Sequence, residues 1–574
     1  MMSISSAFRL EHVLQNADGW MVAKQMFDSR ETIVSCPGKV LIAGGYLVLD
    51  REYPGIVVGT SSRFYTVIRP AQSPLGRSPE QQGSLKYQQI RLSIRSPQFI
   101  DAEWSYLISL SAQADLVIKP EASSSQNKFV ELAVQESLKL SLALQNPDQF
   151  ILQPPSEKPP QNGQSTNQPY PMTITILGDN DFYSQPRQDH APVPAFNRLN
   201  TTLKDVHKTG LGSSAAMVTS LCSAILIHFA PSIKPLSRST KLLLHNLSQY
   251  VHSLAQGKVG SGFDVSAAIY GTHVYRRFSP ACLDGLLGSS GDQAHLTPNQ
   301  IWKTLDPKIN ESWVDASTAP VIERFSIPKF TTLLLADVDA GSHTPSMVGQ
   351  VFKWKNSESE CANQIWKELS IQNNQLKVAF ERLDRLSSLN EQNYLSEVLK
   401  LSSDSNFHLQ NDPSPVTETD DVRTLFIKVS SITKSIRQLM KKMGTQSNVP
   451  IEPDSQTQLL DECEKRDGVI GSGVPGAGGY DAIWVLIFTP PSLPECSTAE
   501  KVDGRSGNIQ HVIEFLNHWS HSSVRVLSSD SWVVGGSTNE LRESSDNGHE
   551  DDGIKIFDDL QLVDCLKSQL DLFP

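Results

Sequence analysis

Four glycine-rich segments of this 574-residue chain hold the residues best suited to chemistry. The most informative is 208–218, in which Lys208, Thr209, Gly210, Leu211, Gly212, Ser213, Ser214, Ala215, Ala216, Met217 and Val218 follow one another. Gly210 and Gly212 permit positive φ and a close approach of backbone to a ligand. Ser213 and Ser214 then open an apolar helix through Val218, Leu221, Ile225 and Leu226. The first N–H groups of a helix lack intrahelical partners and sit at its positive end, where phosphate binds well. A glycine turn with a serine N-cap has similar letters, but the glycine pair, the serine pair and Lys208 together favour phosphate. The segment is not a Walker A loop, because no G-K-[ST] follows at the required spacing.

The second segment runs from Cys36 through Pro37, Gly38 and Lys39 to Tyr46. Pro37 and Gly38 are expected to turn the chain, so that Lys39 projects from the start of an apolar strand. A lysine there is either a solvated edge residue or a cation for an anionic ligand. The third segment, Gly471–Asp481, contains a literal G-x-G-x-x-G at 471–476. Its context is wrong for a dinucleotide: no apolar strand is expected before it, Pro475 interrupts it and a strand rather than a helix follows. It reads as a loop packed against a ligand or another loop. In the fourth segment, 256–271, Asp264 follows a glycine turn and precedes a run of small residues. It is either a helix N-cap or an acid aimed at the same ligand.

These segments need elements to position them. Residues 31–43 and 56–68 read as strands, rich in β-branched residues and flanked by turns. Residues 128–145 and 240–255 carry helical apolar stripes, the second at Leu243, Leu247, Val251 and Leu254 with Gly257 as its stop. Leu333–Leu335 and 482–488 read as buried strands, and 376–400 and 422–443 as helices. Strands mixed with long helices indicate an α/β or α+β enzyme rather than a bundle or a sandwich. Polar stretches at 153–171, 185–195 and 489–508 are expected to be surface loops. Residues 404–421 hold five acidic residues and no basic one, and 537–553 hold six acidic residues and one arginine. These two segments account for ten of the twelve net negative charges, so the acidity is expected to lie in solvated loops rather than at the site.

Composition removes several classes. With 39% hydrophobic and 20% charged residues and a net charge of -12, the chain is an ordinary globular protein without the basic face of a nucleic-acid binder. No apolar run is long enough to span a membrane, and the N-terminus lacks a secretory pattern. The seven cysteines are scattered and the fourteen histidines fall in no zinc-ligand spacing. A cytoplasmic enzyme is the expectation.

The order P-G-K near the N-terminus, G-L-G-S-S-A in the middle and G-A-G-G near the C-terminus resembles the GHMP small-molecule kinases. Within that family, K-T-G-L-G-S-S-A, the run A-G-G-Y-L-V-L-D (43–50) and G-S-G-F-D-V-S-A-A-I-Y-G (260–271) resemble the fungal branch that acts on 5-phosphomevalonate. The resemblance spans about 31–490. It implies a GHMP kinase fold: an N-terminal domain with a left-handed βαβ crossover (31–325) and a ferredoxin-like C-terminal domain (326–574), after an extension at 1–30. It also implies transfer of the γ-phosphoryl of ATP, with Mg²⁺, to 5-phosphomevalonate, in a monomer or homodimer with no nucleic-acid or membrane partner. By the same match, residues 208–218 would hold ATP, Lys39 and Asp264 would be the catalytic pair and Ser214 would face the metal. Tyr46, Lys258, Ser261, Gly476, Gly478 and Gly479 would lie toward the substrate; Ser342 and Thr344, clustered hydroxyls after a buried strand, are candidates for its phosphate, with an ordinary turn the commoner explanation. One departure stands out: other members carry a metal-holding glutamate at the position of Ser253, and no acidic residue occurs between 240 and 263. Another GHMP acceptor, decarboxylation of diphosphomevalonate and a non-catalytic sensor are the competing readings.

Overall fold

The computed structural model describes residues 31–70, 89–111, 115–121, 126–145, 169–184, 196–233, 236–287, 296–338, 344–491, 507–527, 533–534 and 552–557. The expected extension at 1–30, most of the 153–195 and 489–508 loops, and 537–551 lie outside these residues.

The first half is a sheet covered by helices. Its strands are β1 (Thr32–Ala43), β2 (Gly55–Pro70), β3 (Gln89–Arg95), β4 (Glu103–Leu110), β5 (Leu116–Pro120), β6 (Tyr170–Gly178), β7 (His273–Arg276) and β8 (Val321–Arg324). The main path runs β1-β2-β6-β3-β4-β5, with β7 beside β2 and β8 beside β7. Among the described residues only β3 and β6 pair in parallel; the other pairs are antiparallel. The helices are α1 (Lys128–Leu144), α2 (Ser213–Phe229), α3 (Arg238–Gln256), α4 (Phe263–Tyr270) and α5 (Pro298–Leu305). Helix α2 lies across β1 and β2 and is buried almost all round, including its Ser220 and Ser223. This explains its nearly uniform apolar sequence. Helix α3 starts at Ser237, whose hydroxyl accepts from the Thr240 N–H at 3.1 Å, and stops at Gly257 with φ 71°. The stop is the one read from the sequence, and the cap starts the helix two residues before the expected 240.

The second half is built from β9 (Thr331–Val338), α6 (Thr344–Ser357), α7 (Ser359–Leu389), α8 (Glu391–Ser402), α9 (Val422–Ser447), α10 (Asp454–Glu464), β10 (Val469–Gly473), β11 (Ala482–Phe488), α11 (Gly507–Asn517), β12 (Val524–Val526) and β13 (Val533–Val534). Its strands run β10-β11-β9-β12, all antiparallel, with β13 also on β9. With α9 after the first strand and α11 after the third, this is the ferredoxin-like βαββαβ order that was expected. A last strand, β14 (Lys555–Phe557), returns to the first sheet and pairs with β1. The C-terminal chain therefore does not stay with the second half. One apolar cluster joins the two sheets, from Val34 and Leu226 to Leu335, Phe426 and Trp484.

Four local expectations change. Pro37 and Gly38 do not turn the chain. β1 runs straight through them with a register shift between Pro37 and Lys39, a bulge that tolerates a residue without an N–H. The helix expected over 376–400 is broken at Asn390, whose side chain accepts from the Asn393 N–H and starts α8. An apolar strand, β10, does lie in the third glycine segment and takes in Gly471–Gly473. Finally, residues 404–421 are not a loosely solvated acidic loop. Phe407 is buried, and Asp404, Glu418 and Asp420 pair with Arg423, Arg382 and Lys428 of the two long helices.

Candidate active site

The bulge in β1 has a direct consequence. Every residue of Thr32–Ala43 is buried except Lys39, which is half-buried. The Lys39 backbone N–H donates to the Leu211 carbonyl at 2.9 Å, and its Nζ donates to the Gly210 carbonyl at 2.7 Å. A Cβ on Gly38 would meet the Leu211 carbonyl at 3.0 Å, and one on Gly212 would meet Lys39 Cε at 3.0 Å. Strand and glycine loop are thus packed backbone to backbone, and a lysine separated from Gly210 by 171 positions places its ammonium on the loop. Burial draws the Lys39 pKa below the usual lysine range, and the Asp264 charge opposes that shift.

The loop itself ends in an open helix terminus. Gly210 and Gly212 both adopt left-handed φ, 77° and 78°. Gly212, not Ser213, is the N-cap of α2, and no side chain caps it. The first helical bond of α2 is Ala216 N–H to Gly212 carbonyl, so the amides of Ser213, Ser214 and Ala215 have no helix partner. That terminus is apt for an anion. Within 208–218 the side chains divide. Thr209 is buried and its hydroxyl donates to the Asp181 carbonyl, anchoring the loop. Leu211, Ala215, Ala216 and Val218 belong to the core, and Met217 is half-buried. Lys208 is exposed, and Ser214 is half-buried beside the loop.

Asp264 comes from the facing helix. Gly262, with φ 80°, caps α4, so Asp264 lies in its first turn rather than at its cap. It is half-buried and makes no direct ion pair with Lys39, although the two charges interact. The Phe263 ring lies 5.4 Å from Lys39 Nζ, a cation–π contact that keeps the ammonium near the α4 start. Lys258 is exposed and Ser261 half-buried, and the Ser261 carbonyl accepts from the Tyr275 hydroxyl at 2.9 Å.

The third glycine segment forms the opposite wall. The Gly476 N–H donates to the Leu41 carbonyl at 3.0 Å and the Gly479 N–H to the Ile451 carbonyl at 2.8 Å. A Cβ on Gly478 would fall 2.1 Å from that same Ile451 carbonyl, which accounts for a glycine with φ 72° there. The loop thus packs against β1 and the chain after α9, as a close-packed loop should. Tyr46 is buried and its hydroxyl donates to the Ala477 carbonyl at 2.9 Å, tying the Gly45–Leu49 turn to this wall. Between them lies a narrow cleft, lined among others by Gly44, Gly45, Asn373, Met440 and Gly476. Ser342 lies outside the described residues, and for Thr344 only its place at the start of α6 is described.

Two residues at this site were not identified from the sequence as functional. His252 is 5% exposed, and its Nε2 lies 3.2 Å from Ser214 Oγ and 3.2 Å from Gln256 Nε2. Asn373 is 7% exposed, lines the cleft, and keeps its Oδ1 without a hydrogen-bond partner. The only available signal was a polar residue on a core-facing helix stripe, Leu369-Asn373-Leu376-Phe380 in the second case.

Among the described residues, no group of three His, Cys, Asp or Glu side chains converges as a metal site. Isolated oxygens from Ser214 and Asp264 nevertheless suit Mg²⁺, which keeps its waters and takes one or two protein ligands alongside substrate phosphates.

Known proteins resemble this chain along most of its length. Residues 195–272 match the GHMP kinases N terminal domain. The phosphomevalonate kinase erg8 of Aspergillus fumigatus is 34% identical over 484 residues, covering 80% of this chain and 88% of that one. The peroxisomal phosphomevalonate kinase of Arabidopsis thaliana is 35% identical over 489 residues, covering 79% and 89%. Among solved structures, the Lin0012 protein of Listeria innocua shares the fold, with a TM-score of 0.52 at 15% identity over 92% of this chain and all of that one. With relatives this similar over most of their length, the chain belongs to the phosphomevalonate kinase family of the GHMP kinases.

Proposed function

We propose that this protein transfers the γ-phosphoryl group of ATP to 5-phosphomevalonate, giving ADP and 5-diphosphomevalonate, a step toward isoprenoids and sterols. The observation that carries the reading is Lys39. Its Nζ is spent on a carbonyl of the glycine loop instead of a carboxylate, beside a helix terminus with open amides.

In this reading the α2 terminus and Lys208 receive the ATP phosphates. An oxygen of the acceptor phosphate forms the new bond to the γ-phosphorus, the bond to the β–γ bridging oxygen breaks, and ADP leaves with that electron pair. The second pKa of a phosphate is about 6, so the nucleophile is already ionised near neutral pH and no strong base is required. The harder task is bringing two anions together, which is a matter of positioning and charge. Lys39 supplies the positive charge where the phosphates meet, Lys258 adds a second from the loop before α4, and Asp264 holds the ammonium charged. Mg²⁺, held by Ser214 and Asp264 with the nucleotide, would neutralise β- and γ-phosphate oxygens. Tyr46, Ser261, Gly476, Gly478 and Gly479 would shape the acceptor side. Residues 31–325 would act as the N-terminal ATP-binding domain and 326–574 as the C-terminal domain, with the nucleotide between them and the last strand, β14, returned to the first sheet.

No helix among the described residues is long and apolar enough to cross a membrane. Free, mostly buried cysteines (Cys36, Cys222, Cys282, Cys463) suit a reducing compartment, and we place the enzyme in the cytoplasm. A panel of mevalonate, 5-phosphomevalonate, diphosphomevalonate, galactose and homoserine with Mg-ATP tests the function. ADP release with 5-phosphomevalonate alone is expected. CO₂ release from diphosphomevalonate, or silence with every acceptor, contradicts it.

A further inference from the structure

The phosphate loop carries a second, unexplained contact. Ser214, in the first turn of α2, has its hydroxyl 3.2 Å from Nε2 of His252 on α3. The same Nε2 lies 3.2 Å from the amide nitrogen of Gln256, one helical turn further along α3. The imidazole packs against Phe129 at 6.0 Å between ring centroids, and Asp264 is the charge that acts on it. No acidic residue is available on this stretch of α3.

The polarity of this chain of contacts follows from its end. The amide nitrogen of Gln256 can only donate, so Nε2 is an acceptor and the ring proton is on Nδ1. With Nε2 unprotonated, the Ser214 contact can only run from the hydroxyl to the ring nitrogen, the two donors sharing its one lone pair, and the Ser214 oxygen keeps its own lone pairs free for a cation. An Nε2–H tautomer would set two donors against each other. A hydroxyl with its proton taken is unsuited to donate to phosphate and suited to a cation.

We infer that His252, supported by Gln256, is a positioning residue that fixes Ser214 as a cation-facing oxygen in the nucleotide site. The inference rests on the nucleotide reading given above. It gives Ser214 and Ser213 different parts: Ser214 faces the metal of the metal–nucleotide complex, and the Ser213 amide faces phosphate.

Binding of ADP to the full-length protein, with Mg²⁺ and without, tests this apart from turnover. In His252→Phe, which keeps an aromatic ring against Phe129, the gain in ADP affinity on adding Mg²⁺ should shrink by about tenfold or more. Metal-free ADP affinity should be unchanged. His252→Gln, whose side-chain carbonyl can accept the serine proton, should restore the gain, and Gln256→Leu should reproduce part of the loss. In a Ser214→Ala background His252→Phe should add nothing. Equal losses with and without Mg²⁺, no loss at all, or additive losses in the double variant overturn the inference. Wild-type protein that binds no ADP overturns the nucleotide reading itself, and this inference with it.

Discussion

Lys39 and Arg437 are both cations drawn out of bulk water, and their surroundings are opposite. Arg437 on α9 is 7% exposed and meets three carboxylates: Glu464 at 2.7 Å, Glu452 at 2.8 Å and Asp461 at 2.9 Å. Burial alone would lower its pKa, but Glu464 and Glu452 outweigh it and raise the value above the ordinary one. Lys39 has a carbonyl, the face of Phe263 and a carboxylate that it does not touch. Burial wins there, and the pKa falls. A neutralised cation holds helices together. An under-neutralised one has attraction to spare for a phosphate. The same contrast explains Lys428, which is saturated by Asp420 and the Pro415 carbonyl and is structural.

The comparison can be broken at its structural end first. Arg437→Met leaves Glu452 and Glu464 buried without their partner, which should cost about 3–5 kcal/mol of stability, read by denaturant unfolding. Turnover per folded molecule should stay at the wild-type value, and a loss there would give Arg437 a part in the site. At the other end, Asp264→Asn removes the charge that sustains the Lys39 ammonium. Turnover at neutral pH should fall about 10²-fold. The sign of the pH effect follows from the cause: without Asp264 the Lys39 pKa drops further, so the alkaline limb of the pH–rate profile must move to lower pH. A limb that stays in place or moves upward would separate the two residues. Smallest is Gly212→Ala. A left-handed φ of 78° costs an L-residue about 1–2 kcal/mol, and the new Cβ presses on Lys39. The KM for ATP should rise about tenfold with the KM for the acceptor unmoved.

What the sequence disclosed follows from the range of the interactions involved. Helix α3 was readable from its stripe and its Gly257 stop, both local signals, while its Ser237 cap was passed over. The glycine loop was readable because left-handed backbone leaves glycines behind. The Gly212 cap was not, since Ser213 has the better capping side chain and only the positive φ of Gly212 shifts the helix start by one residue. The bulge at Pro37–Gly38 looked like a turn because the force keeping the chain straight comes from β2 and the glycine loop, far away in sequence. His252 and Asn373 were silent for the same reason: a polar residue on a buried helix face acquires meaning only from what folds against it. The 404–421 segment was misjudged by composition, because its acids are matched by Arg382, Arg423 and Lys428 on other elements.

The central claim is that Lys39 is held free of carboxylates so that it can meet phosphate during transfer. Lys39→Met measures it directly, with turnover and ATP binding determined on the same preparation. The account predicts a loss of about 10³-fold or more in turnover, with ATP affinity within a few-fold of wild type and no drop in melting temperature, because a lysine whose pKa is lowered by burial adds no stability in its charged form. Near-normal turnover in that variant would contradict it.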